Sequence, residues 1–154
     1  MNAQKLREVI ELELSLMQAT VVELTALAAR LKNEEPANIE KAGAGACLAQ
    51  FYGGVERILV RVCKDCNVPI PTGGDWHQQL FRMFGDPPTE GLPALIDSRM
   101  EEALLPYRKF RHVFVHGYGV MLDWSRMVDG VKSAEAVFRA FAERVEQYLG
   151  SLPD

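Results

Sequence analysis

The chain has no stretch approaching the roughly 20 apolar residues that a helix needs to cross a bilayer. Its opening, Met1-Asn2-Ala3-Gln4-Lys5-Leu6-Arg7-Glu8, is polar and amphipathic, with no apolar signal core followed by a small-residue cleavage site. These features predict a cytoplasmic protein with no membrane partner. Cysteine is scarce: Cys47, Cys63 and Cys66 make an odd count, and without an export signal a disulfide framework is not expected. Positive charge is not in excess. A formal net charge of -4 counts against sequence-blind binding of nucleic-acid backbone, whose usual footprint is a basic surface. It does not count against a small site that meets one or two phosphates. Internal repeats and low-complexity linkers are absent as well. With 48% hydrophobic and 25% charged residues, disorder is excluded, and residues 1–154 have the size of a single domain with a real core.

Helical periodicity fills most of the chain. Leu6, Ile10, Leu14, Met17, Val21, Leu24, Ala28 and Leu31 alternate in steps of four and three, the pattern of a long amphipathic helix. Asn33-Glu34-Glu35-Pro36 stops it. A second helix is expected from about Pro36 to Cys66, with Ile39, Leu48, Phe51, Val55, Ile58, Leu59 and Val62 in the core. It carries Gly43, Gly45, Gly53 and Gly54, each costly in a helix interior. They point to close approach of another backbone, either a crossing within the monomer or a dimer interface. Residues 67–74 read as a loop. Asp75 is the expected N-cap, with Gln78 three residues on, of a short helix ended by Gly85. A further helix is expected from Leu92-Pro93, kinked or restarted at Pro106. It would carry Phe110, Val113 and Phe114 into the core, with Gly117 and Gly119 bracketing its end. The last helix starts near Ser125 and buries Val128, Val131, Ala134, Phe138, Phe141, Val145 and Tyr148. The whole reads as an all-α, four-helix up-and-down bundle with one short extra helix.

The chemistry-bearing residues gather in one segment. Arg108, Lys109, Arg111 and His112 fall within five positions, and His116 follows. RNA carries its own nucleophile, the 2′-hydroxyl, beside the phosphodiester. Cleavage then needs a base near neutral pH, which histidine supplies, and a fixed cation on the phosphate, which arginine supplies. No metal or cofactor is required in principle. On an ideal helix Arg111 and His116 are separated by about 7.5 Å of rise and about 140° of rotation. Either the helix loosens near Gly117 or a second copy completes the site. His112 and His116, at i and i+4, share a face.

Arg111, the polar His112 after it, His116, one spacer and Tyr118 form R-x4-H-x-Y. This segment resembles the motif of HEPN ribonucleases, closest to the HepT-like toxin branch. The flanking Pro106-Tyr107-Arg108-Lys109-Phe110 and Gly119-Val120-Met121-Leu122-Asp123-Trp124 are similar too. The resemblance implies a HEPN-like bundle, a metal-independent endoribonuclease and a homodimer with two motifs facing one cleft. It also implies a minimal nucleotidyltransferase antitoxin that adenylylates the motif tyrosine. Carried over, Arg111 and His116 become the catalytic pair, His112 the polar helper that orients the phosphate or protonates the leaving oxygen, and Tyr118 the modification target. The departures are the acidic balance and a histidine at position 112, where asparagine is common.

Weaker signals have plainer readings. His112-x3-His116 has zinc-ligand spacing but lacks the glutamate of a zinc-hydrolase motif, with no third ligand evident. Cys63-Lys64-Asp65-Cys66 is half a zinc site at most, and it sits at a helix end unfavourable to a reactive thiol; packing is the simpler role. Trp76 could stack on a base and His77 contact phosphate, against capping and hydrophobic anchoring. Glu56 lies in an apolar stretch. If buried it needs a partner, and Arg111 is the candidate; otherwise it faces solvent. The expected function is therefore an RNA-cleaving toxin of a toxin–antitoxin pair. The alternative is a non-catalytic HEPN module that binds a nucleotide or a nucleotidyltransferase.

Overall fold

The computed structural model describes residues 2–118 and 122–154. The expectations placed on Gly119, Val120 and Met121 lie outside the described residues. Five helices follow in order: α1 (Ala3–Leu31), α2 (Asn38–Asp65), α3 (Trp76–Met83), α4 (Ser98–His116) and α5 (Trp124–Gly150). No strand occurs among the described residues. α1 packs on α2 and α5, α2 on α4, and α4 on α5, with α3 set against α2. The protein is an all-α bundle of four long helices with one short extra helix.

Local chemistry explains the helix limits. Asn2 caps α1 by accepting from the Lys5 amide at 2.8 Å. Lys32 ends the helix with φ 55, its N–H donating to the Ala28 carbonyl at 3.2 Å. At the start of α2 the Glu40 carboxylate accepts from the Ala37 N–H at 3.0 Å. By length and composition α1 could cross a membrane. In this fold its stripe of Leu6, Ile10, Leu14, Met17, Val21, Leu24 and Leu31 is buried in the core.

α2 is the central element, touched by all four other helices. That position accounts for two of its glycines. A Cβ at Gly54 would lie 2.5 Å from Met17 Cγ, and one at Gly45 would lie 2.7 Å from a Leu122 methyl and 3.0 Å from the Phe114 ring. Close crossing within the monomer is thus what these two positions serve. Gly43 has nothing within 4 Å, and no packing reason for it emerges. Phe51 sits at the junction of three helices. Its ring meets Tyr107 of α4 edge-on at 5.1 Å and Phe138 of α5 at 6.5 Å. The Tyr107 hydroxyl donates to the Gly130 carbonyl at 2.7 Å, which ties α4 to α5.

Several expectations are corrected. Ile39 is 78% exposed, because the first turn of α2 lies beyond the packed part of the bundle. Val113 is 57% exposed; Phe110 and Phe114 take the inward face of α4 and leave Val113 outside. α4 starts at Ser98, not at Leu92-Pro93. Leu92, Leu95 and Ile96 are buried, but in a loop whose Leu95 and Ile96 amides both donate to the Phe84 carbonyl, at 3.0 and 2.9 Å. Asp97 is the cap: its carboxylate accepts from the Met100 amide at 2.8 Å and holds Arg144 at 2.6 Å. Asp75 makes no side-chain cap of α3; its carboxylate accepts instead from the Gln79 side-chain Nε2 at 2.7 Å. α4 runs through Pro106 without restarting. It therefore delivers Arg108, Arg111, His112 and His116 on one continuous helix.

Candidate functional site

Glu56 is the only buried charged side chain among the described residues, at 5% exposure. A carboxylate can stay ionised in such a place only if it is paired. Two side chains meet it. His77 Nδ1, from the first turn of α3, contacts Oε2, and Arg111 Nε, from α4, lies 3.9 Å from Oε1. Three helices thus converge on one carboxylate. The expected pairing of Glu56 with Arg111 is present. His77 is the addition: its ring nitrogen joins α3 to the carboxylate behind Arg111.

Tyr52 lies one turn before Glu56. Its ring stacks on Phe81 at 5.4 Å, and its hydroxyl is buried without a hydrogen-bond partner among the protein atoms. Burial pushes the phenol far above its usual range and the Glu56 charge adds to this, while Arg108 and Arg111 pull the other way. Tyr52 is consequently a neutral packing group.

Two open cavities flank the Glu56–His77–Arg111 cluster, and His77 and Arg111 line both. One, of about 500 Å³, is bordered by Asp75, Arg108, Lys109 and His112. The other, of about 360 Å³, is bordered by Arg61, Lys64 and Trp76. Despite the chain's acidic balance, cations crowd this face. Arg108 is fixed by Gln78, whose amide oxygen, turned towards it, accepts from both guanidinium nitrogens at 3.1 and 3.0 Å. Trp76 lies against the His77 ring at 3.8 Å between centroids. Such a basic, aromatic-edged hollow can receive a phosphate and a base.

The rest of the motif points elsewhere. α4 stays helical through His116, so it does not loosen to bring His116 round to Arg111. No hydrogen bond or ion pair joins Arg111 to His116 among the described residues. The His112 and His116 rings lie 4.7 Å apart and both residues are exposed. Gly117 then carries the chain off in an extended conformation. A Cβ there would sit 3.0 Å from the Val113 carbonyl oxygen, which favours glycine at this exit. Tyr118 follows, 80% exposed. His112 alone borders the Arg111 cavity and also touches His116.

The cysteine pair is remote from this chemistry. Burial, with a smaller push from Cys66, raises the Cys63 thiol to about 11, so it is protonated and unreactive at neutral pH. Cys66 Sγ lies 3.5 Å from the Tyr148 hydroxyl.

A model of the HepT-like protein family matches residues 43–152, well over half of the chain. The chain belongs to the HepT-like family. The match spans Glu56, His77, Arg111, His112, His116 and Tyr118, so every group of the site lies within the HepT-like region, whereas α1 and the first turn of α2 lie outside it. The same comparisons return no match among curated proteins or solved structures.

Proposed function

We propose that this HepT-like protein is a metal-independent endoribonuclease, the toxin of a toxin–antitoxin pair, acting in the cytoplasm as a homodimer. The observation that carries the reading is Arg111, 3.9 Å from a buried carboxylate and lining a cavity with Arg108, Lys109 and His112. A guanidinium placed in that way can clamp a phosphate. Arg111 binds the scissile phosphate and stabilises its growing negative charge. His116 takes the proton from the 2′-hydroxyl, giving a 2′,3′-cyclic phosphate and a 5′-hydroxyl. His112 orients the phosphate. Since His116 lies away from Arg111 on the same helix, a second copy supplies the facing histidine across a shared cleft.

The test is purified protein incubated with RNA in excess chelator. New 5′-hydroxyl and 2′,3′-cyclic phosphate ends are expected. A wild type that cuts no RNA leaves the non-catalytic module as the answer, and strict monomers in sedimentation would remove the shared cleft.

Control is proposed to act through Tyr118. It is exposed and only two residues from His116, so a minimal nucleotidyltransferase antitoxin can reach its hydroxyl. The adenylyl phosphate would then offer Arg111 a competing anion. On co-expression with the cognate partner, intact mass should show the adduct on wild type and none on Tyr118→Phe, which should stay active. A Tyr118→Phe protein that is unmodified yet fully inhibited rules this control out.

A further inference from the structure

Phosphodiester cleavage by the 2′-hydroxyl needs two proton transfers. One group removes the proton of the attacking oxygen; another supplies a proton to the departing 5′-oxygen. Arg111 cannot supply it, because its guanidinium does not deprotonate in the working range. We propose that His77, held by Glu56, is the general acid of this site. This rests on the endoribonuclease reading above and names a group outside the motif.

Three observations favour His77. First, Glu56 holds Nδ1, which leaves Nε2 as the free nitrogen. A carboxylate behind one imidazole nitrogen fixes the tautomer and stabilises the imidazolium. Second, the indole of Trp76 lies 3.8 Å from the ring, which with Glu56 fixes the orientation of the imidazole. Third, the ring borders both cavities beside Arg111 and its side chain keeps 27% of its surface exposed, so a bound phosphodiester can reach it. His112 and His116 have no carboxylate partner among the described residues.

The step balances. His116 accepts the 2′-hydroxyl proton as the 2′-oxygen bonds to phosphorus. The bond from phosphorus to the 5′-oxygen breaks, and protonated His77 delivers its Nε2 proton to that oxygen. The products are a 2′,3′-cyclic phosphate, a 5′-hydroxyl, a neutral His77 and a protonated His116.

The experiment compares an ordinary RNA with one carrying sulfur in place of the 5′-bridging oxygen at the cleavage site, whose thiolate leaves without protonation. His77→Gln should lose about a hundredfold in kcat/KM on the ordinary RNA. On the sulfur substrate it should regain most of the wild-type rate. Glu56→Gln, which keeps the histidine but removes the carboxylate behind it, should slow the ordinary RNA more than the sulfur substrate; it serves also if His77→Gln does not fold. Equal loss on both substrates makes His77 a structural anchor and overturns the proposal. A wild type that cuts neither substrate overturns the endoribonuclease reading itself, and the acid with it.

Discussion

Arg111→Ala should lower kcat/KM on RNA by about 10³-fold while leaving the fold nearly unchanged. Removing one fixed donor from a developing oxyanion typically costs about 10²–10³-fold, and Arg111 also positions the phosphate. The stability effect is small by comparison. The Arg111–Glu56 pair is long, at 3.9 Å, and the arginine side chain is 38% exposed, so solvent screening holds its worth near that of a surface pair, roughly 0–1 kcal/mol. Glu56 also keeps His77 as a partner. Arg111→Lys should recover only part of the rate, because an ammonium keeps the charge but loses the planar fork. RNA binding gives a second check. Losing one phosphate contact should flatten the salt dependence of log affinity by about 0.7 for a single strand. His116→Ala should be comparably inactive yet keep the salt slope, since the proposed mechanism gives it a proton to move and no phosphate to hold. An Arg111→Ala protein that cuts RNA like wild type removes the phosphate-clamp assignment.

The contrast between Arg111 and His116 also bears on what the sequence could reveal. The long helices were legible because their apolar faces recur at helical steps, and the stripe from Leu6 to Leu31 is buried almost as that period requires. The start of α4 was misplaced for a physical reason. Leu92, Leu95 and Ile96 are buried because a loop crosses the bundle, and apolar residues in a buried loop imitate the first turn of a helix. The loop ends at Asp97, whose side chain caps α4 by accepting from the Met100 amide. Arg111, His112, His116 and Tyr118 stand out in the sequence because they lie close together in the chain. The joining of His77 to Glu56 does not. His77 is 21 residues from Glu56 and 34 from Arg111, and only the docking of α3 on α2 brings them together. The clue was Glu56, a charge in an apolar run that needed a partner.

Phe51→Ala should be the most damaging single change to the fold. The ring is fully buried and packs against Tyr107 and Phe138 at the point where α2, α4 and α5 meet. Truncating a buried phenylalanine typically costs about 3–5 kcal/mol, the lost transfer energy plus the cavity left behind. Whole domains are stable by only about 5–15 kcal/mol, so this is a large share of the total. The loss should lower the thermal midpoint by on the order of 10 °C for a chain of this size. Phe51→Leu, which keeps most of the volume, should cost about 1.5 kcal/mol or less. The effect should also reach the site. Tyr107 stands one turn before Arg111 on α4, so the two share a face of that helix, and the ring of Phe51 is what seats Tyr107 against Gly130. Urea unfolding and RNA cleavage measured on one preparation separate the two roles. Phe51→Ala should lose stability and activity together, whereas Arg111→Ala should lose activity alone. A Phe51→Ala protein less than about 1 kcal/mol below wild type would mean that the junction of α2, α4 and α5 repacks around the missing ring, since well-packed cores relax only in part.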